Sequence, residues 1–204
     1  HIALEWICVL FDVPGDVLQK KYAMDADKLQ ARTHIYADAS PWGFGAFLSI
    51  DGVPTEYLAG SWDESDCERM GYAIGDCRGQ AVWEALALLV CLRAWAEHWQ
   101  WRQAVIRVKS DSKAARGALE KERSRSPMIN AIARELALDR AMAVHDPLLE
   151  FAHVAGKRNE WADALSRLAE PGSGAAVPGP LRGAKQRRLP KRDWRWWRVW
   201  DAPG

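Results

Sequence analysis

Several things are scarce or missing from this chain, and each absence narrows what it can be. No uninterrupted apolar run approaches the roughly 18 residues that a membrane-crossing helix needs, so no membrane span is expected. Cysteine is sparse: Cys8, Cys67, Cys77 and Cys91 form no CxxC pair and share no zinc-type spacing with histidine. That argues against a disulfide scaffold and an oxidising compartment, and an intracellular setting, cytoplasm or nucleus, is expected. No secretory leader is visible. The first residue is His and not Met, as expected of a piece cut from a longer polyprotein. Net charge is also nearly absent, at +1 over 204 residues.

The small net charge hides an uneven layout. Residues 1–181 hold 20 Lys/Arg against 25 Asp/Glu, whereas residues 182–204 hold 8 against 2. A basic tail behind an acidic body could touch nucleic acid, while the body would need metal ions before it accepted a phosphate backbone. An apolar fraction of 49% with 27% charged residues permits a packed core and excludes wholesale disorder. The 12 tryptophans are unusually many; Trp83, Trp95 and Trp99 fall in helical apolar patterns that suit a core.

What is present is organised around Thr33 to Phe47, THIYADASPWGFGAF. An apolar-rich run carries one acid, Asp38, breaks at Ser40-Pro41, and resumes through Gly43 and Gly45. This reads as a strand, a tight turn and an antiparallel partner. An acid inside a central strand is expensive to bury without a cationic partner. A turn at Asp51-Gly52 leads to a third strand, Thr55 to Trp62, and residues 62–80 read as a solvated polar loop. Ala81 to Trp99 changes to helical spacing, apolar nearly all round, with Glu84 near its start. Ala104 to Val108 is a β-branched strand followed closely by Asp111, with a helix from Lys113. Ser126-Pro127 opens another helix. Leu148 to Val154 is a fifth strand, and Asn159 caps a last helix with Asp163 in an early turn. Residues 1–32 read as an N-terminal lead-in, its opening helical, and residues 171–204 as a flexible, basic, Trp-rich tail.

The order β-β-β-α-β-α-α-β-α, with a crossover helix after the third strand, requires parallel pairing beside antiparallel hairpins. The expected fold is α/β: a mixed five-stranded sheet with helices packed on it. Such a sheet could bring Asp38, Glu84, Asp111 and Asp163 together. Four carboxylates in one pocket repel one another unless cations sit between them. Oxygen-only ligands favour Mg²⁺, with Mn²⁺ as a substitute, over zinc. A pair of such ions is the arrangement that in-line phosphoryl transfer uses. Each acid singly has a bland reading as a solvated Asp, a helix-start acid or a cap.

Four segments together resemble the ribonuclease H domain of retroelement reverse transcriptases. They are YADASPWGFGAFL around Asp38, WEALAL around Glu84, VKSDSKAARGAL around Asp111 and HVAGKRNEWADALSRL around Asp163. Gly60 and Trp62 are similar to the branch that carries a tyrosine recombinase. The resemblance spans residues 33–170 and implies a ribonuclease H-like domain that cuts the RNA strand of an RNA–DNA hybrid. It also implies a reverse-transcriptase polymerase domain as neighbour in the same polyprotein. The family's Asp-Glu-Asp-Asp set maps onto Asp38, Glu84, Asp111 and Asp163 as catalytic and metal-binding residues, with Asp38 shared by two ions.

Around those acids, Ser40 and Ser112 could meet the substrate 2′-hydroxyl or act as local caps. Asn159 could cap its helix or touch substrate, and Trp161 could stack on the hybrid or pack. His153 is the one candidate for the mobile histidine of many relatives, but it falls within the fifth strand. The basic insertion of some relatives is reduced to Lys121, Arg123 and Arg125. Three other readings stay open: an inactive retroelement-derived nucleic-acid-binding domain, a DNA-directed nuclease on the same fold, and a structural connector beside a polymerase.

Overall fold

The computed structural model describes residues 32–101, 104–145, 147–155, 159–189, 191–193 and 195–198, with Leu4, Ile7, Cys8 and Phe11 near the start. Most of the lead-in therefore lies outside the described residues, as does Gly156-Lys157-Arg158, which reads in sequence as a turn; the four near the start are helical.

Three strands form an antiparallel meander: β1 (Thr33–Ser40), β2 (Gly43–Ile50) and β3 (Val53–Ser61). Pro41 and Trp42 make the first turn, closing on the pair Ser40 and Gly43. The second turn has Asp51 at φ 51° and Gly52 at φ 83°. Two positive φ values suit the right-handed twist of a two-residue hairpin, which is why an Asp-Gly pair sits there. The crossover then delivers β4 (Val105–Ser110) parallel to β1, and β5 (Leu148–His153) parallel to β4.

The α/β class and mixed sheet expected from the sequence are what the chain adopts, with six strands in place of five. The sheet order is β5-β4-β1-β2-β3-β6, where β6 is the two-residue strand Lys185–Gln186, parallel to β3. A second addition is α1 (Glu64–Met70), in the stretch read as a solvated loop. A reciprocal cap between Asp63 and Asp66 starts it, and Gly71 in the left-handed region ends it.

Ile35, Ala37 and Ala39 of β1 face the larger core, against α2 (Gln80–Ala94). This helix is buried nearly all round because α3 (Lys113–Glu120) and α4 (Pro127–Ala141) pack on its far side. Its expected run to Trp99 stops at Ala94, and Ala96–His98 tightens into a 3₁₀ turn. The Trp99 indole N–H donates to the Leu92 carbonyl at 3.0 Å, satisfying one acceptor that the helix end leaves over. Trp62, Trp83, Trp95 and Trp99 are all fully buried, and Trp62 stacks on Trp83 at 4.8 Å, so these tryptophans are core. On the opposite face, Phe47, Leu165 and Leu181 form a smaller cluster beneath α5 (Glu160–Ser166).

The C-terminal segment departs most from expectation. Read as a flexible tail, it wraps the domain. Leu181 is fully buried, β6 lines the β3 edge, and Arg187 bonds to Glu56 and Glu97. Arg192 is 6% exposed and grips Asp66, itself 0% exposed, through Nε at 2.8 Å and Nη2 at 2.5 Å. Its guanidinium lies over the Phe44 ring at 5.1 Å. Trp197 joins the larger core, and Arg198 bonds to Glu135 and Asp139 of α4. The physical reason is the charge asymmetry itself: an acidic body and a basic end neutralise each other within one chain.

Candidate active site

Asp38 lies two residues from the end of β1 and Asp111 immediately follows β4, so both stand at the carboxyl end of two parallel neighbours. Open α/β sheets gather their chemistry at this edge. Glu84 reaches it from the second turn of α2. Gln80 fixes that approach, since its side-chain amide donates to the Ala39 carbonyl at 2.7 Å and to Glu84 Oε1 at 3.0 Å. The outcome is a trio: one carboxylate oxygen from each of Asp38, Glu84 and Asp111 lies within 4.8 Å of the others.

Asp163 arrives from the opposite side of the sheet, in the first turn of α5. It is not one of the trio. Its Oδ1 accepts from Arg167 Nε at 2.8 Å, with the side chain 44% exposed. Its charge nevertheless reaches Asp38 and Glu84. Helix α5 comes this close because Gly45, paired with Asp38 across the hairpin, has no side chain. A Cβ there would collide with Leu165 Cβ and Ser166 N and lie 2.6 Å from the Ala162 carbonyl oxygen.

The electrostatics follow from burial. Asp38 is 6% exposed and Glu84 7%. Loss of hydration pushes the Asp38 carboxyl up to about 7; the charges of Asp111 and Asp163 add to the rise, while a Ser166 hydrogen bond and Arg167 oppose it. Burial likewise drives Glu84 well above its ordinary range, reinforced by Asp38, Asp111 and Asp163 and only partly offset by Gln80. The direct partners of both acids are neutral, an amide and a hydroxyl. A hard divalent cation fits this donor set: convergent carboxylate oxygens, short of positive charge. Asp38, Glu84 and Asp111 would hold it, with Asp163 at the rim.

The auxiliary candidates divide. Ser40 is buried, donates to the Ser166 carbonyl at 2.8 Å and accepts from the backbone N–H of Trp42 and Gly43. Its hydroxyl braces the turn inside the domain, which is the local-cap reading of the two that the sequence left open for Ser40. Ser112 caps α3 through the Ala115 N–H and stays half-buried. Asn159 occupies the N-cap position of α5 without a side-chain cap; its buried amide donates to the Ala37 carbonyl at 3.1 Å. Trp161 packs at 5.4 Å from Phe47. His153 is the exposed last residue of β5, in register with Ser110 beside Asp111. Sequence reasoning missed Gln80 and Ser166. Their signals were spacings of four before Glu84 and three after Asp163, which put them on the acids' own helix faces.

Three solved structures are similar in shape. Ribonuclease H1 from the halophilic archaeon Halobacterium salinarum is 24% identical, with a TM-score of 0.49 over 68% of this chain and 97% of that one. LC11-RNase H1, isolated from compost by a metagenomic approach, is 17% identical, with a TM-score of 0.49 over 69% and 96%. The N-terminal RNase H domain of a Mycobacterium tuberculosis protein is 18% identical, with a TM-score of 0.44 over 65% and 94%. No protein-family model and no curated protein sequence matches the chain. At these scores the likeness decides nothing about chemistry, which rests on the acids themselves.

Proposed function

We propose that this domain hydrolyses the RNA strand of RNA–DNA hybrids, using two divalent ions held by Asp38, Glu84, Asp111 and Asp163. Mg²⁺ is the expected ion and Mn²⁺ its substitute. The observation that carries the reading is the trio of carboxylates within 4.8 Å at the carboxyl ends of β1 and β4, two of them buried without a directly bonded cation. Bound divalent ions would supply the positive charge this pocket lacks and stabilise the charge that builds on a phosphate.

The chain's own groups would do the rest. Asp38, on the central strand β1 and shared by both ions in this reading, fixes the centre of the site. Glu84 and Asp111 close one side, and Gln80 keeps Glu84 from swinging out. Asp163, half-exposed and leashed to Arg167, closes the other where substrate arrives. Among the hydroxyls, Ser112 is the one positioned near the surface beside Asp111 to meet a ribose 2′-hydroxyl, the group that separates RNA from DNA. The four-segment resemblance supports placing the domain in a retroelement reverse transcriptase, beside a polymerase domain.

The experiment is a cleavage assay on labelled hybrid, duplex DNA and branched DNA, with Mg²⁺ and then with chelator. Cutting confined to the RNA strand of the hybrid, abolished by chelator and by Asp111→Asn, is the expected result. Cutting of DNA substrates alone would turn the reading to a DNA-directed nuclease, and no cutting with retained hybrid binding would leave an inactive binding domain.

A further inference from the structure

The fully buried hydroxyl of Ser166 lies against the central acid of the site. Ser166 is the last residue of α5, 1% exposed, and its Oγ lies 2.8 Å from Asp38 Oδ2. The same oxygen lies 2.9 Å from the Asp163 carbonyl three residues back, where a helical serine ordinarily bonds. One hydroxyl carries one proton, so the two acceptors compete. The bond to Asp38 is the shorter of the two, and once a cation holds that carboxylate ionised it is also the stronger, which assigns the proton to Asp38.

This contact is built by the backbone. Gly45 stands opposite Asp38 in the hairpin register and admits α5 to a distance that any side chain would forbid. Ser40 Oγ donates to the Ser166 carbonyl at 2.8 Å, tying the end of α5 to the end of β1. Two serines and a glycine therefore hold one hydroxyl against one carboxylate oxygen.

We propose that Ser166 is a positioning residue: it fixes the rotation of the Asp38 carboxylate so that its free lone pairs serve divalent-cation binding. The consequence for catalysis rests on the nuclease reading; the consequence for cation binding does not. Without the hydroxyl, Asp38 faces the charges of Asp111 and Asp163 with nothing to orient it, and the carboxylate can turn away from the trio.

The test uses the full chain with Ser166→Ala, Ser166→Thr and Leu181→Ala. Leu181 is fully buried in the small cluster beneath α5, beside Leu165, so its variant controls for lost stability. Calorimetric titration with Mn²⁺ alone, on folded protein, is read beside hybrid cleavage. Loss of an outer hydrogen bond to a metal ligand weakens affinity or activity by about 10- to 100-fold. Ser166→Ala is expected to lose Mn²⁺ affinity on that scale and to lower kcat with KM for hybrid unchanged. Ser166→Thr, which keeps the hydroxyl, should recover most of the affinity, and Leu181→Ala should melt earlier with wild-type affinity. Wild-type Mn²⁺ affinity in Ser166→Ala overturns the proposal, as does an equal loss in Leu181→Ala. If wild type cuts no hybrid while Ser166→Ala still loses Mn²⁺ affinity, the positioning role stands and the nuclease reading falls.

Discussion

Replacing Asp38 by Asn should make the metal-free protein more stable while removing its activity. Burial and like charges raise the Asp38 carboxyl from 3.8 to about 7. A carboxyl raised on folding is held more comfortably neutral than ionised, so the fold gains nothing from its charge. Its favourable contribution is complete below about pH 4 and is lost as pH climbs through 7. A rise of about three units at about 1.4 kcal/mol each makes the ionised group about 4 kcal/mol unfavourable at pH 8. Asparagine cannot ionise and still offers Ser166 an acceptor oxygen. Melting followed by circular dichroism at pH 8 in chelator should therefore place the Asn variant about 10 °C above wild type. At pH 4 the gap should close. Mg²⁺ should narrow the gap to about 1 kcal/mol, because an ion at a hundredfold excess over its Kd stabilises wild type by about 2.7 kcal/mol and has lost its central ligand in the variant. An Asn variant that melts below wild type at pH 8 in chelator, or a gap indifferent to pH, would refute the account of the pocket as one short of positive charge.

Three further outcomes follow from other contacts. Gly45→Ala should force α5 off the sheet, costing about 1–3 kcal/mol in urea unfolding and most of the cleavage rate, since Ser166 and Asp163 move with the helix. Arg192→Met leaves Asp66 charged and fully buried without its partner, a loss of about 3–5 kcal/mol in the same assay; adding Asp66→Asn should return part of it. In native protein a thiol reagent should modify exposed Cys77 at once and leave Cys91 untouched, because burial of Cys91 drives its thiol pKa far up; labelling of Cys91 without denaturant would contradict the packing of α2.

Much of the fold was legible because its signals are local. Asp51-Gly52 names its own turn, Ser126-Pro127 its own helix start, and the change from alternating to helical spacing marks α2. What was not legible depends on partners far away in the chain. Asp66 looks like one more loop acid until Arg192, 126 positions later, is brought over it. The two residues of β6 carry no strand pattern and are ordered only by the β3 edge beside them. At the site, the positions of Asp38, Glu84 and Asp111 follow from element order, because a sheet of that order has one edge at which they can meet. The supporting shell did not follow. Gln80 and Ser166 are ordinary residues whose use depends on a helix approaching within hydrogen-bonding distance, and the choice between substrate contact and local cap at Ser40 turns on Ser166, 126 positions away.

The wrap of the last residues has a bearing on how the chain is made. Synthesis delivers Trp62, Asp66 and Trp83 long before Arg192 and Trp197, so on the ribosome the nascent sheet must wait with a bare edge and an uncompensated acid. Final closure of the domain is thus a late event, set by the emergence of its end and not by the completion of its active site.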